Sequence, residues 1–429
     1  MRETIFQRKG NGMQFKTILN RVENLKGFVY GDVRLEEGKR GPALLVEIRP
    51  RRGSRGHCSG CGHAAPGYDT LAERRFEFVP MWGLLVFFVY AMRRVNCPVC
   101  GVKVERVAWA DGKSPITTRY GWFLAGWAKR MAWSQVAEAF HTSWHHVAEG
   151  VKMAVAWGRA HMNLEGITAI GVDEIAWAKG HTYATVVYQI DAGSRRLLWV
   201  GQKRTAKTLL GFFRWLGRER TALVGFVCSD MWKPYLKVIA KKVPAAIHVL
   251  DRFHIVSHVG KALDKVRASE AREMHRAGLE PVLSHSRWCL LKRTANLTQR
   301  QGVKLKDLVQ YNLRTVRAYL LKEELHQFWE YVSAYWAGRF LDAWCTAAMR
   351  SRIGPMQDVA RMLRRHRELI LNWFRARKEF SSGIVEGLNN KAKLAMRMAY
   401  GYRSFDILEI VLYHRLGELP EQEFAHRFF

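Results

Sequence analysis

The chain has 429 residues, too many for one simple domain, and 48% apolar with 12% aromatic content is enough to build two to four compact units. Its 69 Lys and Arg against 38 Asp and Glu leave +31, spread over the whole length, so a polyanion is the expected partner and nucleic acid the commonest one. A basic but otherwise ordinary enzyme, or a ribosome-associated protein, is the alternative. Seven cysteines, two CxxC pairs plus Cys228, Cys289 and Cys345, read as a metal pattern with leftovers instead of a disulfide framework, which favours a reducing cytosol.

Residues 1–12 are polar and patternless, so the patterned chain is expected to start at Met13, and nothing there resembles an export signal. Segments 27–34 and 42–49 read as short strands, and the region to about residue 110 as a small all-β unit. The apolar run Val79 to Met92 has about fourteen residues, short of the roughly 20 that a membrane helix needs, and reads as a buried strand or hairpin arm.

Cys58-Ser59-Gly60-Cys61 and Cys97-Pro98-Val99-Cys100 place two thiolates each on a tight turn. Two such knuckles separated by strands make a tetrahedral four-cysteine zinc-ribbon site, closed to water and structural. His57 and His63 could replace a ligand, but the complete cysteine set makes that unnecessary.

From Ile116 to about Trp157 the apolar spacing turns helical. Residues 133–140 form a short helix with Val136, Ala137 and Phe140 on its apolar face. A turn follows, and Ser143 caps a second helix facing Val147, Val151 and Val155 inward. That is a helix-turn-helix pattern, with Thr142, Ser143, His145, His146 and Lys152 as candidate DNA contacts. Any helical hairpin shares the pattern.

Strands are expected at 167–172, 182–190 and 195–201, then a helix near 206–218, a strand 222–228, a helix near 233–242 and a strand 245–250. The first three can form an antiparallel meander, while the fourth crosses back through a helix and can lie parallel to the first. Asp173 and Asp230, each at the end of an apolar strand, would then sit side by side at one sheet edge. Asp251 also ends a strand. After it the chain is almost wholly helical to about Phe380.

Phosphodiester cleavage with two metal ions needs three clustered acids, because each ion keeps open positions for substrate oxygen and water. Asp173 and Asp230 are two candidates, and Asp251 a rival third. The expected helix 382–399 offers Glu386, which shares a face with Asn389/Asn390, Lys393 and Arg397 at spacings of three, four and seven. An ordinary solvated face of Glu and Lys has the same spacing.

The set GVDEIAW, SDMWKPY, DRFHI and SSGIVEGLNNKAKLAMRMAYGYRSF, behind a double CxxC and a helix-turn-helix, resembles transposases of insertion sequences of the ISL-three class. The likeness covers nearly the whole chain from about Met13. It implies a multidomain α/β architecture: a zinc-ribbon β domain (13–110), a helix-turn-helix domain (111–162), an RNase H-like mixed-sheet core (163–255), a large α-helical insertion (256–380) and final core helices (381–415). It also implies a DDE triad of Asp173, Asp230 and Glu386 holding two Mg²⁺ or Mn²⁺ ions, with Zn²⁺ on the four cysteines. Arg252, His254, Lys391, Lys393 and Arg397 are then expected to position phosphates, and the N-terminal modules to read terminal inverted repeats. Such a protein would act on double-stranded DNA as a homodimer or larger assembly, in the bacterial cytoplasm at the nucleoid. A DNA-binding regulator without catalysis and an RNA-acting nuclease on the same core are the competing readings. A tyrosine-based single-strand transposase would need a His-x-His pair, and His254 and His258 are spaced too far apart for one.

Overall fold

The structure, a computed structural model, describes residues 15–38, 40–178, 180–376, 382–399, 401–402 and 404–422. The expected start at Met13 lies outside them. The chain divides into two compact units, the first running to Met162 with 413–415 and the C-terminal residues from Leu419, the second comprising Asn163–Leu412 and Leu416–Glu418.

The first unit opens with an amphipathic helix, α1 (Phe15–Val22), where only β structure was expected. Then come β1 (Phe28–Gly38), β2 (Gly41–Pro50), the short pair β3 (Gly56–His57) and β4 (Ala64–Ala65), and the long arms β5 (Gly67–Met81) and β6 (Leu84–Cys97), followed by β7 (Gly101–Val104). The run from Val79 is thus the tip of a hairpin, turning at Trp82-Gly83. The sheet order is β1-β2-β6-β5 with β7 on β6, antiparallel except for β2 against β6. Its core gathers around buried Trp109, against which the rings of Phe28, Phe76 and Tyr90 pack edge-on.

Helices α2 (Thr118–Ala128), α3 (Trp133–Ala139) and α4 (Trp144–Ala160) complete the unit. Thr117 caps α2 and Ser143 caps α4, each hydroxyl accepting a backbone N–H of the first turn. Val136, Ala137, Val147, Val151 and Val155 are all buried.

The second unit is built on β8 (Ala169–Ala178), β9 (Thr182–Asp191) and β10 (Ser194–Gln202), an antiparallel meander. Two helices, α5 (Ala206–Leu216) and α6 (Arg218–Ala222), lead to β11 (Phe226–Ser229), and α7 (Lys233–Lys242) leads to β12 (Ile247–Leu250). The order is β10-β9-β8-β11-β12, with β11 parallel to both neighbours. The expected crossover is present, but β8 does not stop before Asp173. It continues to Ala178 because residues 173–178 keep pairing with β9.

The helical stretch comprises α8 (Arg252–Arg276), α9 (Arg287–Leu291), α10 (Gln299–Val309), α11 (Arg314–Gln327), α12 (Ala334–Arg350), α13 (Gly354–Arg365) and α14 (Arg367–Arg375). These share one apolar core with Val249 and Leu250 of β12. Asn372 of α14 donates to the His248 carbonyl, fastening the helices to the sheet at 2.8 Å. Last come α15 (Ser382–Met398) and α16 (Phe405–Leu416). Among the described residues no helix is long and apolar enough to cross a membrane.

Candidate active site and metal centre

Register decides where the first two acids meet. Ser229 of β11 pairs with Val172 of β8, so the next residues along the two parallel strands, Asp230 and Asp173, stand beside each other. Asp230 is only 6% exposed, and both its oxygens have donors: Oδ1 accepts the Trp232 backbone N–H at 3.0 Å and Oδ2 accepts Arg204 at 2.7 Å. Burial, reinforced by Asp251 and Asp230 nearby, pushes the Asp173 carboxyl up to about 6.

Helix α15 reaches this edge through a glycine. Gly171 of β8 faces Val385, and a Cβ at Gly171 would run into the Val385 side chain, so the helix lies as close to the strand as a bare backbone allows. Four residues on, Asn389 Nδ2 donates to Asp173 Oδ2 at 2.6 Å. The Asn389 carbonyl oxygen accepts the hydroxyl of fully buried Tyr188 at 2.7 Å, which fixes the amide with its NH₂ toward the carboxylate.

The expected single functional face of α15 is therefore two faces. Val385, Leu388, Asn389 and Ala392 point inward, while Glu386, Asn390, Lys391, Lys393 and Arg397 are exposed. Glu386 lies about 60° around the helix and about 4.5 Å along it from Asn389. Among the described residues no set of three acids brings one oxygen each within 4.8 Å of the others.

Asp251 accepts the Phe253 N–H as the cap of α8 and pairs with His254 Nδ1 at 2.7 Å. That hydrogen bond, outweighing partial burial, raises His254 to about 9 and makes it an imidazolium beside the acids. Arg252, one residue into α8, lies over the Trp329 ring at 5.1 Å.

Two residues were missed by the sequence reading. Glu174, next to Asp173, is pushed up to about 7 by burial and then by Asp230. Arg204 bridges them, reaching Glu174 Oε1 at 3.0 Å and Asp230 Oδ2 at 2.7 Å while its guanidinium stacks on Trp232 at 4.5 Å. The acid run Asp173-Glu174 was the available signal. No local pattern pointed to a partner 30 residues away.

In the first unit, Cys58, Cys61, Cys97 and Cys100 bring their sulfurs within 4.8 Å of one another, at the ends of the β3–β4 and β6–β7 hairpins. Cys61 Sγ and Cys97 Sγ stand 3.5 Å apart. Knuckle amides, that of Cys61 foremost and then that of Gly60, pull the Cys58 thiol down to about 7. Four soft donors at this spacing fit a tetrahedral zinc ion.

The helix-turn-helix candidates separate into two groups. Thr142 Oγ1 and His146 Nδ1 both bond Glu77 Oε2, at 3.1 and 2.8 Å, and Ser143 is spent on its cap. His145 and Lys152 are exposed.

The comparisons with known proteins cover these same segments. A family profile described as a transposase, of the ISL-three class, matches residues 170–412, from β8 into α16. The transposase for insertion sequence element IS1001 of Bordetella parapertussis is 31% identical over 349 residues, 81% of this chain and 85% of that protein. The transposase for insertion sequence element IS1557 of Mycobacterium tuberculosis is 31% identical over 407 residues, 88% of this chain and 90% of that protein. With a sheet, an acidic edge and a helical tail all inside the matched span, the chain belongs to the ISL-three class of insertion-sequence transposases.

Proposed function

We propose that the chain binds the ends of its insertion sequence and cuts and joins DNA at a DDE site of Asp173, Asp230 and Glu386 in an RNase H-like core. The observation that carries this reading is the parallel pairing of β8 with β11, which sets two largely buried aspartates side by side at a sheet edge. Hard carboxylate oxygens suit Mg²⁺ or Mn²⁺, and the burial that raises Asp173 is a cost that a divalent cation offsets. Bound there, two such ions would activate water and stabilise the leaving 3′ oxygen.

The protein's own groups do the rest. Asn389 and Tyr188 orient Asp173, the Trp232 amide orients Asp230, and Glu386 approaches from the exposed flank of α15. Arg252, protonated His254, Lys391, Lys393 and Arg397 hold DNA phosphates around that edge. The four cysteines hold a structural zinc ion, and the ribbon and helix-turn-helix read the terminal repeats with His145 and Lys152 forward. Joining two ends calls for a homodimer or larger assembly, working in the cytoplasm at the nucleoid.

Substituting Asp173→Asn, Asp230→Asn or Glu386→Gln is expected to abolish strand cleavage and transfer with Mg²⁺ or Mn²⁺ while end binding in a gel-shift assay persists. Transfer retained by the Glu386 variant would remove that residue from the triad. Transfer retained by either aspartate variant would overturn the reading. Chelating zinc is expected to abolish end binding, and unchanged binding would exclude the ribbon.

A further inference from the structure

Arg204 sits where no simple metal site would put a cation, 2.7 Å from an oxygen of Asp230. Its backbone is pinned on both sides. Lys203 N–H donates to the Tyr183 carbonyl and the Lys203 carbonyl accepts the Thr185 hydroxyl, while Thr205 caps α5. The side chain is left to exchange partners, and among the described residues it has two ionic ones, Glu174 and Asp230.

The bridge is incomplete in a specific way. Among the described residues, Arg204 Nε is a buried donor with no acceptor and Glu174 Oε2 a buried acceptor with no donor. Both belong to the same ion pair, whose closest contact is Nη1 to Oε1 at 3.0 Å. A small rotation over the Trp232 face would convert that contact into a two-point fork of guanidinium on carboxylate. That end-on fork, Nη1 on Oε1 and Nη2 on Oε2, gives the orphaned Glu174 oxygen its donor and withdraws Nη2 from Asp230.

We propose that Arg204 is a two-position counter-cation: it shares Asp230 Oδ2 in one position and clamps Glu174 with both arms in the other, and divalent cation binding at Asp230 requires the second. This inference rests on the reading of Asp173 and Asp230 as metal ligands. Two cations on one carboxylate oxygen repel, and the repulsion is strong at a site this dry. Glu174 supplies the alternative berth, so it acts on the metal through Arg204 without being a ligand. The arrangement also prevents two or three adjacent carboxylates from facing one another unneutralised, which keeps the edge folded around a fixed Asp230.

Mn²⁺ binding to the full-length, zinc-supplied chain, followed by titration calorimetry, tests the idea by a double-mutant cycle. Arg204→Gln removes the competitor and is expected to tighten Mn²⁺ on the order of tenfold. Glu174→Gln removes the alternative berth and is expected to weaken it by a similar factor, but to have no effect in the Arg204→Gln background. Arg204→Lys keeps the charge without the fork and is expected to bind Mn²⁺ no better than the unaltered chain. Weaker binding by Arg204→Gln, tighter binding by Arg204→Lys, or a Glu174→Gln loss of equal size in both backgrounds would each overturn the latch, the last making Glu174 a ligand. Asp230→Asn serves as the separate check, because Mn²⁺ affinity unchanged in that variant would sink the metal-site reading itself.

Discussion

At the scale of single residues, the acidic edge depends on groups that never touch substrate. Tyr188 is a fully buried phenol whose proton goes to Asn389, and burial raises its ionisation well above the ordinary range, so it remains a donor at any working pH. Tyr188→Phe leaves the ring in place and takes away that donor. The Asn389 amide then has no fixed orientation, and Asp173 loses its aimed hydrogen bond. We expect about 1–3 kcal/mol less stability in urea melts and slower nicking, with end binding unchanged; nicking at the unaltered rate would show that Asp173 needs no such orientation. His248 gives a second residue-scale test. It is buried against Ser229 at 2.8 Å, and desolvation holds it down at about 4, below the ordinary 6.5. The folded chain packs the neutral ring, so the unfolded chain binds the proton first as acid is added. Stability from this site is complete above pH 6.5 and drains away as pH falls toward 4, by on the order of 3 kcal/mol. His248→Gln should flatten the slope of melting temperature against pH in that window, and an unchanged slope would place the acid sensitivity elsewhere.

Elements in the first unit meet through glycines. Gly150 of α4 and Gly121 of α2 face each other so closely that a Cβ on Gly150 would lie 2.5 Å from the Gly121 carbonyl oxygen. Gly126 of α2 has nothing within 4 Å of where its Cβ would be. Gly150→Ala is therefore expected to force α2 and α4 apart at about 1–3 kcal/mol, while Gly126→Ala is neutral or stabilising by up to about 1 kcal/mol. Thermal melts of the two variants separate them, and equal melting points would mean that the helices do not cross there. These glycines also show what sequence can carry. The helices α3 and α4 with the Ser143 cap, the β5–β6 hairpin and the strand-helix alternation after residue 163 were legible because each leaves a local signature: apolar period, cap, or turn residue. The length of β8 was not, since Asp173 and Glu174 interrupt the apolar run and the residues up to Ala178 are strand by pairing with β9. For the same reason Asn389 could be placed on α15 but not on its inner face, and the Arg204 bridge could not be anticipated at all. Those facts come from contacts between elements far apart along the chain.

The whole molecule carries +31, and its exposed basic groups recur on both units, among them Lys152 on α4 and Lys391, Lys393 and Arg397 on α15. Charge of this kind attracts duplex DNA by releasing condensed counterions, so affinity depends on salt more steeply than any single contact would suggest. If a complex with one terminal repeat neutralises about six phosphates, raising salt from about 50 to about 200 mM weakens binding about a thousandfold, with a log–log slope near about −5. Lys152→Ala should reduce that slope by about 1 without changing which repeat is preferred, because a phosphate contact carries no sequence information. His145→Ala should do the reverse: little change in slope, but a narrower gap between the cognate repeat and unrelated duplex. The measurement is fluorescence anisotropy on duplexes of equal length across a salt series. A flat salt response would exclude a polyanion as the partner of this basic chain, and preference for an RNA–DNA hybrid over the repeat would redirect the same acidic edge to a different nucleic acid.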